Sequence, residues 1–175
     1  MSDARISAYA DALVAVARAE GATSVVEDEL FRFARAFEGS DELRSVLSDP
    51  HLPTERRTQV VQDLLGGRAS SATVALVSMI VATGRISELT RIVDEFITRS
   101  ADNRGEAVAE VRSAVALTEE QRSRLAEALT TRTGRPVTVR NVIDPTVLGG
   151  IVTQIGDTLL DGSVRTRLTQ LRDAF

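Results

Sequence analysis

SADNRGEAVAEVRSAVALTEEQ, residues 100–121, is where the period of this chain changes. It opens polar, around a glycine. Ala107, Ala109, Val111, Ser113 and Val115 then alternate with Val108, Glu110, Arg112 and Ala114, the two-residue period of a strand. Thr118 to Gln121 has the form of a capping box, with Thr at the N-cap and Gln three residues on. The helix it opens is expected to run to about Thr133 and stop at Gly134. Nothing upstream alternates in this way, so the chain reads as all-α before about residue 105 and α+β after it.

Upstream, apolar residues recur at three and four. A first helix is expected over about 3–20, with Ile6, Ala10, Leu13 and Ala17 on one stripe and Gly21 as its stop. A second, over about 23–38, buries Val26, Leu30, Phe33 and Phe37. Ser40 caps a short third helix whose first turn holds Asp41 and Glu42, where the helix dipole favours acids. Asp49-Pro50 and Pro53 break the chain. A fourth helix follows over about 54–65, a fifth over about 70–83, and a sixth over about 87–100 with Leu89, Ile92, Val93 and Phe96 inward. Six helices on short connections predict a bundle.

Downstream, Pro136 starts a strand that runs to Ile143. The closing residues 142–171, VIDPTVLGGIVTQIGDTLLDGSVRTRLTQL, carry turn signals at Asp144-Pro145, Gly149-Gly150, Gly156-Asp157 and Asp161-Gly162. Val164, Leu168 and Leu171 follow at helical spacing. This predicts a strand, a turn, a hairpin and a closing amphipathic helix. The expected architecture is mainly α: a six-helix bundle over 1–105, then over 106–175 a small α+β domain with a short mixed sheet and two helices. A unit of that size buries little core, so support from a partner or from the first domain is expected.

Composition narrows the chemistry. The 175 residues carry a net charge of −4 at a pI of about 5.1. All of that charge lies in 1–105, with 16 acids against 12 arginines; 106–175 holds nine of each. No basic face marks a nucleic-acid binder. There is no cysteine, one histidine (His51) and no lysine, every side-chain cation being an arginine. A Walker A lysine and a lysine Schiff base are therefore excluded. The longest apolar run, Val74 to Ala82, has nine residues, where a membrane span needs about 20. The first residues do not read as a signal peptide. The expectation is an intracellular, soluble chain that meets a membrane only through a partner.

No motif carries a reaction. GGIVTQIGD fits neither phosphate-loop pattern, and its glycines read as turn residues. Asp144, Asp157 and Asp161 could converge on a metal ion, but each sits in a turn dipeptide where Asp bonds its own backbone. His51 reads as a surface loop residue, Arg56-Arg57 as surface cations, and Glu27-Asp28-Glu29 as a solvated face. No catalytic, cofactor or metal site is expected. The anomaly is the fifth helix, whose only polar side chain from Val74 to Ala82 is Ser78. Either it runs through the middle of the bundle or something covers its outer face. The first helix has a small second face of Ala8, Ala12, Ala15 and Ala19, and the two together could groove a partner's amphipathic helix.

Across about residues 4–173 the chain resembles the delta subunit of bacterial F-type ATP synthase, the counterpart of the mitochondrial oligomycin-sensitivity-conferring protein. The closing IDPTVLGGIVTQIGDTLLDGSVRTRLTQL carries the resemblance, with YADAL, ELRSVLSDP, TGRISELTRIVDEF and VRSAVALTEEQ upstream. The chain differs from many such proteins in holding arginine where they hold lysine. The resemblance implies a non-catalytic stator role, linking the catalytic head to the peripheral stalk on the cytoplasmic face of the plasma membrane. It implies that an alpha subunit's N-terminal helix lies between the first and fifth helices, with Tyr9, Leu13, Ala75, Leu76 and Met79 as contacts. The second domain would engage the C-terminal end of the b subunit. A helical adaptor or antitermination-type RNA-binding protein is the alternative, and the acidic balance argues against it.

Overall fold

The computed structural model describes residues 3–147, 149–156 and 158–161. The chain divides into two compact units, residues 1–100 and 101–175. The division falls in the last turn of a helix, at the start of the polar stretch and about five residues before the boundary read from the change of period.

The first unit is helical: α1 Asp3–Ala19, α2 Thr23–Gly39, α3 Asp41–Ser48, α4 Thr54–Leu65, α5 Ser71–Ala82, a 3-10 turn Ile86–Glu88, and α6 Leu89–Asp102. Each inward stripe follows the apolar spacing. Ile6, Ala10, Leu13 and Ala17 of α1, Val26, Leu30, Phe33 and Phe37 of α2, and Leu89, Ile92, Val93 and Phe96 of α6 are all buried. Ser40 Oγ accepts from the Leu43 N–H at the start of α3, which satisfies a donor the helix cannot satisfy itself. The pairs are tied at the surface by arginines. Arg99 bridges Asp11 of α1 and Glu95 of α6, and Arg35 of α2 meets Asp94 of α6 while stacking 5.1 Å over Phe31. Arg57 of α4 donates to the Leu47 carbonyl near the end of α3, where a helix dipole favours a cation.

The second unit holds β1 Ala107–Ser113, α7 Glu119–Thr133, β2 Val137–Ile143, β3 Ile151–Ile155 and β4 Thr158–Asp161. The strand order is β2-β1-β3-β4. β1 pairs parallel with β2 across the α7 crossover and antiparallel with β3, and β3 pairs antiparallel with β4. The sheet is therefore mixed, as the sequence predicts. Ala107, Ala109, Val111 and Ser113 are buried while Arg112 is exposed, so the two-residue period is real. The strand ends at Ser113, two residues short of the alternation. The Thr118–Gln121 capping box forms reciprocally. α7 ends on Gly134 at φ 74°, a left-handed turn that costs glycine little. The core joins Ala107, Ala109, Val111, Leu129 and Val137, with Leu117, Leu125, Val139, Ile151 and Ile155 around it. Asp157, the Asp161-Gly162 turn beyond Asp161 and the closing helix on Val164, Leu168 and Leu171 lie outside the described residues, and with them the second helix expected for this unit.

One residue class departs from expectation. Glu27-Asp28-Glu29 is not a solvated face. Glu27 is 3% exposed and accepts from Ser100 Oγ of α6. Glu29 turns toward α5, and only Asp28 is exposed. Consecutive helical residues point about 100° apart, so three adjacent acids divide among two interhelical contacts and the solvent.

Candidate functional site

α1 and α5 pack together within the helical unit. The inner side of α5 is Thr73, Leu76, Val77, Ile80 and Val81, all buried. Its outer side, Ala75, Met79 and Ala82, is exposed, with Met79 at 36%. The helix therefore does not run through the middle of the core: it keeps an open face, and that face carries no charge. Water meets alanine methyls and a thioether where a surface helix ordinarily shows a polar stripe. α1 repeats the pattern only in part, because Arg5, Asp11 and Arg18 are exposed on it as well. Its exposed residues include Ala8, Ala12, Ala15 and Ala19, and Val16 at 42%.

The five residues implicated by resemblance separate by depth. Ala75 and Met79 are open to solvent. Tyr9 is half-buried, its ring 5.5 Å beneath the Arg85 guanidinium, a cation–π contact. Leu13 and Leu76, at 0% and 3% exposure, are interior and support the face from below. Val16 and Ala82 complete the exposed set, and sequence reasoning passed over both. The three-and-four spacing that makes Ala75, Met79 and Ala82 one stripe was the available signal.

Both ends of α5 are anchored. At its start, Ser70 is the N-cap, accepting from Thr73 N–H at 3.3 Å. The Glu29 carboxylate of α2 accepts from Ser70 N–H at 3.0 Å, Ser70 Oγ–H at 2.7 Å and Thr73 Oγ1–H at 2.6 Å. Burial raises the Glu29 pKa, but the hydrogen bonds from Thr73 and Ser70 outweigh it and hold the carboxyl below its ordinary range. At the far end, Thr83 Oγ1 donates to the Met79 carbonyl at 2.9 Å. Arg85 then pairs with Glu88 at 3.6 Å and covers Tyr9.

Of the aspartates that invited metal chemistry, Asp144 is occupied with structure. Asp144 Oδ1 accepts from Thr146 Oγ1–H at 2.6 Å and Thr146 N–H at 2.9 Å, and those two bonds, in that order, lower its pKa. It is a turn aspartate. Asp157 lies outside the described residues, and Asp161 ends β4. Among the described residues no three His, Cys, Asp or Glu side chains assemble into a metal site. His51 is exposed in its loop, where its backbone N–H donates to Asp49 Oδ1. No single helix among the described residues is long and apolar enough to cross a membrane.

In the second unit the polar centre is Asn141. Its Nδ2 donates to the Val111 carbonyl at 2.9 Å and to Ser113 Oγ at 2.8 Å, while its Oδ1 accepts from Leu117 N–H at 2.9 Å. One amide thus fixes the exit of β1 to β2. The exposed large apolar side chains of this unit, among the described residues, are Val115 at 72% and Ile143 at 58%.

A family model described as ATP synthase delta (OSCP) subunit matches residues 6–175. Over 172 residues, 98% of this chain, the sequence is 38% identical to the ATP synthase subunit delta of Kineococcus radiotolerans and 37% identical to that of Nocardia farcinica. It covers 62% and 64% of those proteins. Over 93% of its length it is 40% identical to the ATP synthase subunit b-delta of Mycobacterium sp. strain KMS, of which it covers 38%. The chain spans less than two thirds of the length of these relatives. Among solved structures, a chain of the Toxoplasma gondii mitochondrial ATP synthase hexamer superposes with a TM-score of 0.62, covering 99% of this chain and 97% of that one at 21% identity. That likeness is one of fold.

Proposed function

The chain belongs to the ATP synthase delta (OSCP) subunit family, and from that membership we propose that it is a non-catalytic stator subunit of F-type ATP synthase. In this reading it ties the alpha3beta3 head to the b-subunit peripheral stalk and resists the torque of the rotor. Residues 1–105 act as a six-helix bundle on the head, where an alpha subunit's N-terminal helix lies along α1 and α5. Residues 106–175 receive the C-terminal end of the b subunit, and Val115 and Ile143 are apolar residues open to it. The protein is peripheral, held at the cytoplasmic face of the membrane through the complex.

The observation that carries the head contact is the uncharged outer face of α5, Ala75, Met79 and Ala82, beside the alanine face of α1. A tether under load needs slow dissociation, which buried apolar anchors supply better than rim charges. Small residues let a partner helix approach closely, and Met79 adapts to what it meets. The test is calorimetric titration of the full chain with a synthetic peptide of the alpha subunit's N-terminal segment, and separately with one of the b subunit's C-terminal segment. Saturable binding of both is expected. No binding of the alpha peptide to the wild-type chain overturns the head contact.

A further inference from the structure

We propose that Glu29 is a positioning residue for the docking face, its carboxylate fixing the rotation and height of α5 so that Ala75, Met79 and Ala82 are the residues presented. The proposal rests on the docking role given above and adds to it a residue that touches no partner.

α5 has an unusual problem. From Val74 to Ala82 its only polar side chain is Ser78, so no charge resists turning into the core, as charges do on an ordinary surface helix. Size alone favours Leu76, Val77, Ile80 and Val81 inside. It does not fix the helix along its own axis, because each turn offers another aliphatic residue. What lies at a defined height is the pair of hydroxyls at the helix start. Thr73 is fully buried, and its Oγ1 reaches Glu29 at 2.6 Å. Ser70 gives the same carboxylate both its N–H and its Oγ–H. Three donors from two residues three apart converge on one anion. A rotation of α5 by one residue would swing Thr73 from the carboxylate, leaving both partners buried or half-buried without their bonds. The carboxylate also complements the positive end of the helix dipole, and the first turn of α5 holds no acid of its own.

Glu29 is itself fixed. It lies on α2 between Val26, Leu30 and Phe33, all buried. α2 is tied to α6 by Glu27–Ser100 and Arg35–Asp94. The height of α5 is thus set by a helix anchored independently of α5. At the other end, Arg85 over Tyr9 joins the exit of α5 to α1, so both helices of the docking face share one frame.

The experiment uses the full chain with methyl-labelled methionine and the synthetic alpha N-terminal peptide. Glu29→Gln keeps the size and removes the charge. Thr73→Val removes the buried hydroxyl, and Thr73→Ser restores it. The expected result is a shifted or doubled Met79 methyl resonance in Glu29→Gln and Thr73→Val but not in Thr73→Ser. Peptide binding weakens about three- to tenfold in the first two, the reduction that follows when the competent arrangement falls to roughly a third or a tenth of the population. A purely structural role would lower the unfolding temperature while leaving the methyl resonance and the affinity of the folded protein unchanged, and that result overturns the proposal. Failure of the wild-type chain to bind the peptide sinks the docking reading alone, since the Met79 methyl still reports whether Glu29 positions the helix.

Discussion

At the scale of the residue, three adjacent acids illustrate what a sequence does and does not reveal. Glu27, Asp28 and Glu29 look like one solvated patch when read as a charge run. Read at helical spacing, Glu27 leads Phe31 and Ala34 at i+4 and i+7, and both are buried. Ser100 likewise follows Phe96 and Val93 at four and seven, so the two polar partners occupy core-spaced positions on facing helices. That signal was legible. The choice of Ser70 and Thr73 as partners for Glu29 was not, because the residues are some forty apart and only packing brings them together. The Glu29 pKa is depressed in the folded protein. Its contribution to stability is therefore fully present above the unfolded glutamate value and is lost as pH falls through the lower folded value. Chemical denaturation of wild type and Glu29→Gln between neutral pH and pH 3 should show the difference between them shrinking across that acidic window; a constant difference would count against the carboxylate. Asn141 is the second such residue. Asn141→Leu strands the Val111 carbonyl and the Leu117 N–H, and should cost about 1–3 kcal/mol, read as faster amide exchange along β1.

At the scale of the element, caps and periods were the readable part. The stripes of α1, α2 and α6, the Ser40 cap and the Thr118–Gln121 box all follow from local chemistry that needs no distant partner. The fifth helix could not be placed from its own residues, since an apolar segment reads the same whether it is covered by its own fold or by another chain. The exposure of Met79 shows only that its own fold leaves this face open. Met79→Asp should therefore leave the helical circular dichroism intact and change stability by no more than about 0.5 kcal/mol, as surface substitutions do. It should weaken binding of the alpha N-terminal peptide by about tenfold or more, near 1.4 kcal/mol. Loss of fold in this variant would mean that the outer face is structural. Of the residues implicated by resemblance, Ala75 and Met79 are open to solvent, whereas Leu13 and Leu76 belong to the layer beneath them.

At the scale of the whole molecule, the two units differ in what fills them. Among the described residues, the largest fully buried side chains, Phe96, Leu13, Leu30, Leu47, Ile80 and Leu89 foremost, all lie in residues 1–100. The core of the second unit is built on Ala107, Ala109, Val111, Leu129 and Val137, which removes far less apolar surface from water. Hydrogen exchange should accordingly open β1 and α7 before α2 and α6, and uniform protection across both units would refute this ordering. The parallel pairing of β1 with β2 has a consequence for how the chain is made. β1 leaves the ribosome about two dozen residues ahead of β2, and its other neighbour, β3, comes later still. At ~5–20 residues per second, a nascent β1 waits roughly one to five seconds with both of its edges bare. Glu110 and Arg112 sit on alternate positions of that strand, a charge of each sign where a run of valines would invite pairing with another nascent chain. In the finished sheet the same two side chains pair with each other on the side of β1 away from its core, so charges that keep a bare strand from pairing wrongly end as partners once it is covered.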